Sequence, residues 1–481
     1  MVNKCFLSLL LSLLILASFC PVLVDVSVKA SQYPIIVPDD YPTIQEAINN
    51  ADFGDVIHVR AGTYYEHVVI DKTVTLLGEN MGTSMIDGNR AGVVVDISGN
   101  NLTVAGFSVA NGGSGSWPAC NILVQGNFTT IRENNITNNA DYGVLVDYSH
   151  GNNIVGNTIA DNRVGVYLWH SIYGDRVYGN NLVSRNVIAN DTISGISLLM
   201  SENNAITGNT ILRNNVGVAV SDSHHNEISL NTIRDNSLAI RLEGGGGSGN
   251  TIYFNNFVNN RKQAEIASEY CQWDQGYPLG GNYWSDYNGT DLYSGPGQSA
   301  TGSDGIGDAP RVIDASNQDN YPLMGKFYNC DITFLPGLTL TLISNSTISR
   351  FSAVTWITDI NTSSSIRTVW INFTDETGFG FCRVSIPHAY MNVSGAPVVI
   401  DYGQTPVLHS NYTLYDNGTD GWIYFAYNHS ARPSDQTGRQ PRIMIIPEFP
   451  SILILPLLMT ATLPAIINCK KKRRSGIVHS S

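Results

Sequence analysis

The sequence predicts an all-β protein: a right-handed parallel β-helix, then a small β-sandwich, then a C-terminal transmembrane or sorting helix. Three observations carry this reading. An Asn-X-Ile triplet recurs through the first half of the chain at a period near 23 residues. Single apolar residues hold fixed offsets from that triplet. The later part alternates polar and apolar residues, with many Thr, Val and Ile, before an apolar run that ends in basic residues. At 481 residues the chain is too long for one ordinary core, so several units are expected.

Residues 1–30 read as a secretory signal. Lys4 gives a positive start, Phe6–Phe19 is almost unbroken apolar sequence, and small residues follow at Ser27, Ala30 and Ser31. A retained N-terminal anchor helix is the alternative. Next, Thr43-Ile44-Gln45-Glu46 has the form of a helix capping box, with Ile44, Ala47, Ile48 and Ala51 on one face. A short amphipathic helix there would cover the open first coil and block edge pairing. Strands are expected at Val56–Val59, His67–Ile70 and Val74–Leu77.

The repeat then takes over. Its Asn column is Asn134, Asn157, Asn186, Asn209 and Asn231, with Asn255 leading to Phe257, in steps of 23, 29, 23, 22 and 24. A second column reads Ile131, Ile154, Val183, Ile206, Ile228 and Ile252. A third holds Gly143-Val144, Gly165-Val166, Gly195-Ile196, Gly217-Val218 and Ala239-Ile240. A period this short does not accommodate a helical hairpin, and the Leu-X-X-Leu-X-Leu pattern of leucine-rich repeats is missing. One coil of three short strands fits, with Ile and Val stacked into a continuous core. The Asn column is expected at a bend, where Asn tolerates left-handed backbone angles and stacked amides bond from coil to coil.

The motif Pro42-Thr43-Ile44-Gln45-Glu46-Ala47-Ile48, with Gly62-Thr63-Tyr64-Tyr65-Glu66 and Leu76-Leu77-Gly78, resembles the first coil of pectin-lyase-like proteins such as pectin methylesterases. The Asn-X-Ile repeats resemble the NosD-like family, also called the carbohydrate-binding and sugar-hydrolase β-helix domain. Gly280-Gly281-Asn282-Tyr283-Trp284-Ser285-Asp286-Tyr287, Asp304-Gly305-Ile306-Gly307-Asp308 and Asp319-Asn320-Tyr321-Pro322-Leu323 resemble that family's closing segment. The resemblance covers about 35–325 and implies a β-helix there. Residues 330–445 read as an antiparallel sandwich, as in Val369-Trp370-Ile371-Asn372-Phe373.

The apolar run Ile452–Ile467 is short for a bilayer and contains Pro456 and Pro464, but Lys470, Lys471, Lys472, Arg473 and Arg474 supply a positive-inside flank. With Pro447-Glu448-Phe449-Pro450 before it, 447–474 resembles the C-terminal sorting signals of archaeal surface proteins. That resemblance implies an extracellular protein held by a single span, or by a lipid after sorting. The membrane is therefore an expected partner through this tail.

The formal charge is −13, and more acidic once the basic tail is set aside, which argues against nucleic acid as a partner. Cys120, Cys271, Cys330 and Cys382 lie between the two ends without zinc-ligand spacing, and Cys330 and Cys382 form a candidate disulfide within the sandwich. The sequence carries twelve Asn-X-Ser/Thr sequons, seven of them in the later domain (Asn345, Asn361, Asn372, Asn392, Asn411, Asn417 and Asn428), a density that suits a glycosylated exterior protein.

Chemistry is expected at the corner after the Gly-Val strand. His150, Glu202 and His224 occupy the same repeat position in three coils, with Asp147, Tyr148, Asp222 and His225 nearby. The intervening coil is about six residues longer and holds Trp169, His170, Tyr173, Asp175 and Arg176. An aromatic platform beside acids and imidazoles suits sugar binding, acid–base work or a metal. The plain alternative is a turn that gathers solvated polar residues.

Three functions compete. The first is a surface protein binding a polysaccharide or surface glycan, or building the cell envelope. The second is a polysaccharide lyase or hydrolase, although the catalytic aspartates of pectin methylesterases do not align. The third is copper handling, which the NosD resemblance implies and for which His224-His225 is the hint. For Asp304–Asp308 the readings are an incomplete calcium loop or a tight Gly turn.

Overall fold

The computed structural model describes residues 34–446, apart from 116, 170–178, 245–247, 268–269, 336–337, 347, 360–363, 374–378, 392, 394–397, 403–405, 409–411 and 429–441. The expected signal segment, the apolar tail, and His170, Tyr173, Asp175 and Arg176 lie outside the described residues.

Residues 35–284 wind as a right-handed parallel solenoid with three sheets. The first sheet holds eleven strands, from Ile35–Val37 to Tyr270–Gln272. The second holds ten, from Gly62–Tyr64 to Tyr283–Trp284. The third holds nine, from Val68–Ile70 to Lys262–Ile266. Strand pairing follows the repeat. Ile131 pairs with Ile154, Ile154 with Val183, Val183 with Ile206, Ile206 with Ile228 and Ile228 with Ile252. All six are buried and belong to one core that runs the length of the solenoid.

Within the Gly-Val column, Gly165 is a steric requirement. A Cβ at Gly165 would stand 2.6 Å from the carbonyl oxygen of Gly195 and 2.6 Å from Asp191 Oδ2 in the next coil.

Three asparagine ladders line the three corners. In the first, Asn134, Asn157, Asn186, Asn209, Asn231, Asn255 and Asn282 stack. Each Oδ1 from Asn157 onward accepts the backbone N–H and the amide of the preceding rung; Asn186 donates both to Asn209 Oδ1 at 3.0 Å. The second ladder is Asn139, Asn162, Asp191, Asn214, Asn236 and Asn260. The third is Asn152, Asn181, Asn204, Asn226 and Asn250. The left-handed backbone expected of the first column falls instead on the residue before it: Glu133, Gly156, Arg185, Gly208, Leu230 and Phe254. The rungs turn their amides inward to satisfy buried backbone groups, so the preceding residue makes the bend.

The solenoid is closed at both ends. The helix Ile44–Asn50 buries Ile44, Ala47 and Ile48, and its N-cap Thr43 accepts the N–H of Glu46 at 3.1 Å. Gln45 bonds both the N–H and the carbonyl of Val69, covering the outermost strand of the third sheet. At the far end Asp319 replaces the next asparagine. It accepts from Asn282 N at 2.7 Å and from Trp284 Nε1 at 2.9 Å, and burial pushes its carboxyl up to about 7. Gly281 is obligatory there, since a Cβ would lie 1.9 Å from Asp319 Oδ1.

Two five-stranded antiparallel sheets follow. The first runs Tyr328–Leu335, Leu338–Ser344, Phe379–Pro387, Asp420–Asn428, Tyr412–Asp416. The second runs Ile348–Asp359, Ser364–Phe373, Arg442–Ile446, Val398–Tyr402, Pro406–Leu408. Leu342, Val384 and Phe425 of one pack with Val369, Ile371 and Ile445 of the other. Arg383 ties this unit to the closing segment. Its guanidinium, over the Trp422 ring, donates to the carbonyls of Pro278 and Leu279.

The register corrects the expected Cys330–Cys382 bridge. Cys330 pairs with Leu342, and Cys382 pairs with Ser344, so the strand Leu338–Ser344 runs between them. Two strand spacings, about 9.5 Å, exceed the Cα separation a disulfide allows.

Candidate functional site

The corner residues divide into two groups. Glu202 and His224 sit on adjacent coils, where Asn203 N donates to the His224 carbonyl at 3.2 Å, and the His224 and His225 rings are 6.4 Å apart. Asp222 and His225 hold left-handed backbone, with φ of 46° and 53°. They are bend residues, a role Asp and His accept more readily than most side chains. His150 lies two coils from Glu202: Gly151 N donates to Gly179 O, and Gly179 bridges to Glu202. The three residues of equal repeat position are thus not one cluster. His150 instead stands edge-on to the exposed ring of Phe128 at 5.2 Å.

Trp169 turns away from the corner, onto the outer face of the third sheet. It ends the strand Val164–Trp169, where alternation places Tyr167 and Trp169 outward and Val166 and Leu168 in the core. Trp117 reaches over this face from the loop before the strand Cys120–Val124. Its ring meets Trp169 at 4.6 Å and Tyr142 at 5.7 Å, both edge-on, and remains 52% exposed. Tyr142 stacks on Tyr167 at 4.9 Å with 14° between planes. Tyr148 completes the group, 5.6 Å from Trp169, and its φ of 48° is rare for so bulky a residue. Cys120, Leu123 and Leu145 lie buried beneath.

Carboxylates border these rings. Asp147 pairs in register with Trp169; it is only 6% exposed, and Gln125 Nε2 donates to its Oδ2 at 3.0 Å. Its Oδ1 and Asp96 Oδ1 are buried without a hydrogen-bond partner. Burial raises both carboxyls, and the Gln125 bond partly offsets the shift at Asp147. Burial, then Tyr142, pushes the Tyr167 hydroxyl up to about 12. Asp141, 3.5 Å from Arg163, adds a charged pair at the margin. The assembly presents flat aromatic rings bordered by polar groups, a surface of the kind that stacks on the apolar face of a sugar.

Trp117, Tyr142, Tyr167, Phe128 and Asp96 were not singled out from sequence. Tyr142 and Tyr167 carry a signal, since both flank Gly-Val motifs at outward positions. Trp117 carries little, because its position depends on how a Gly/Ser-rich loop folds over the sheet.

For metals the described residues offer little. Among them no three His, Cys, Asp or Glu come close enough to hold an ion. The Asp304–Asp308 segment is built as a turn: Asp291 accepts from Asp304 N and Gly305 N, and Asp308 from Leu292 N, Tyr293 N and Thr290 Oγ1. Those oxygens already face donors, which fits a Gly turn better than a calcium loop.

Residues 43–185 and 179–289, more than half of the chain, match the family described as periplasmic copper-binding protein (NosD). The chain belongs to the NosD family. Over 283 residues this NosD-family chain is 28% identical to a cell surface glycoprotein of Methanothermus fervidus, a match covering 51% of this chain and 46% of that protein. It therefore spans just under half the length of that relative. Among solved structures, ORF18 of Geobacillus virus E2 is similar at TM-score 0.37 and 15% identity, over 86% of this chain and 76% of that one. An alginate lyase from Paenibacillus sp. str. FPU-7 scores 0.27 at 15% identity, over 50% and 94%. Pectin methylesterase from Aspergillus niger scores 0.33 at 14% identity, over 49% and 86%. Copper, which the family description carries, prefers His, Met and Cys. Among the described residues Cys120, Cys271 and Cys382 are each buried on separate elements, and no three His, Cys, Asp or Glu come together.

Proposed function

We propose that this NosD-family protein works at the cell surface and binds a polysaccharide on the outer face of its third sheet. The observation that carries the reading is the half-exposed Trp117, braced edge-on by Trp169 and Tyr142 on the outer face of the third sheet. Aromatic rings fixed by their neighbours lose little freedom on binding. The relative named as a cell surface glycoprotein, the leader and the basic-ended apolar tail support the location. Anchoring through residues 447–474 belongs to the same proposal.

The raised carboxyls of Asp96 and Asp147 favour a second reading, hydrolysis or lyase chemistry on the bound chain. One experiment separates them: a glycan array and a panel of soluble polysaccharides, read for both binding and release of reducing or unsaturated ends. Binding without release is expected. Release would make the protein an enzyme, and silence in both would remove the glycan reading.

A further inference from the structure

The repeat generates sequons of its own, and the structure separates these from sequons a glycosyltransferase can grip. An enzyme acting on the folded chain must reach the Asn amide and the Thr hydroxyl together, which requires the whole tripeptide at the surface. In the solenoid each sequon has a member in the core. Leu102, in Asn101-Leu102-Thr103, is 2% exposed. Thr129, in Asn127-Phe128-Thr129, and Ile136, in Asn135-Ile136-Thr137, are fully buried. Asp191, in Asn190-Asp191-Thr192, is a ladder rung, 1% exposed. Two of the asparagines are also engaged: Asn127 Oδ1 accepts His150 N at 2.9 Å, and Asn190 Oδ1 accepts Arg213 Nε at 3.0 Å. Presenting any of these four would require unwinding a coil.

Two other sequons differ. Asn417-Gly418-Thr419 forms the turn between the strands Tyr412–Asp416 and Asp420–Asn428, and all three residues are exposed. Its amide oxygen accepts the N–H groups of Thr419 and Asp420 and the Thr419 hydroxyl at 2.8–2.9 Å, which holds amide and hydroxyl side by side at the surface. Asn288-Gly289-Thr290 lies in the closing segment, with Asn288 and Thr290 exposed and Gly289 half-buried.

We propose that Asn417 and Asn288 are N-linked glycan attachment sites and that Asn101, Asn127, Asn135 and Asn190 carry none. The donor is a lipid-phosphate-linked oligosaccharide. The side-chain Nδ2 attacks the anomeric carbon, the new N–C bond forms as the C–O bond to phosphate breaks, the lipid phosphate leaves with the electron pair, and a base takes the amide proton. Placed this way, sugar sits on the closing segment and the sandwich, and the solenoid faces stay bare.

The full chain, expressed with its own leader in a host that N-glycosylates exported proteins, would be digested and read by intact glycopeptide mass spectrometry. Sugar is expected on the Asn417 and Asn288 peptides, with the four solenoid peptides unmodified. Asn288→Gln and Thr419→Ala should each lower the intact mass by one glycan; the latter keeps the Asn417 amide in its turn. Sugar on any solenoid sequon, or bare peptides at both Asn417 and Asn288, would overturn the proposal.

Discussion

Asp191 is the residue at which the ladder's rules are broken. In a rung such as Asn209 the side-chain N–H bonds the Oδ1 of the next coil, Asn231, at 3.0 Å. Asp191 accepts from Asn162 N at 2.9 Å and from Asn162 Nδ2 at 3.3 Å, but its Oδ2 stands in the donor's place with no partner. Burial pushes its carboxyl up to about 8, against the Asn162 bonds and with a small push from Asp161, the charged neighbour. The folded chain therefore holds a proton that the unfolded chain releases near pH 4. Stability from this group is complete below pH 4 and falls with rising pH until about 8, at up to about 1.4 kcal/mol per unit. Asp191→Asn restores the missing donor. Its urea midpoint is expected to exceed that of the parent at pH 8 and to converge with it near pH 4. Parallel curves across that range would refute the assignment.

At the scale of the element, the ladder holds the coil as firmly as the Ile column does. Asn209 receives the N–H and amide of Asn186 and donates to the carbonyl of Val183 and to Asn231. Asn209→Ala would strand those buried groups, at about 1–3 kcal/mol for each left unsatisfied. A loss of about 3–6 kcal/mol in urea unfolding is expected, well above that of Asn135→Ala on the outer face, where the side chain makes a long 3.5 Å bond to Ser108. A loss under 1 kcal/mol at Asn209 would mean that apolar stacking alone carries the coil. The sequence showed this element well. The Ile131–Ile252 column pairs rung for rung, because inward positions of a 23-residue coil admit little besides Ile and Val. It showed one ladder of three, since Asn is frequent at all three corners and composition does not reveal which amides turn inward.

Across the whole molecule, a capped solenoid leads into a sandwich held to its closing segment by Arg383, and the candidate site is a face rather than a corner. Periodicity located the coils but not what covers them. Trp117 joins Trp169 through a loop fold, which does not follow from repeat position, whereas the coil between His150 and Glu202 was legible in the spacing. The two surfaces can be told apart directly. On the polysaccharide that binds best in the array, titration calorimetry would compare the parent with Trp117→Ala/Tyr142→Ala and with Glu202→Ala/His224→Ala. Loss of at least tenfold in affinity for the aromatic pair, about 1.4 kcal/mol, with the corner pair unchanged, is the predicted result. Full affinity in the aromatic variant, with loss in the corner variant, would contradict it.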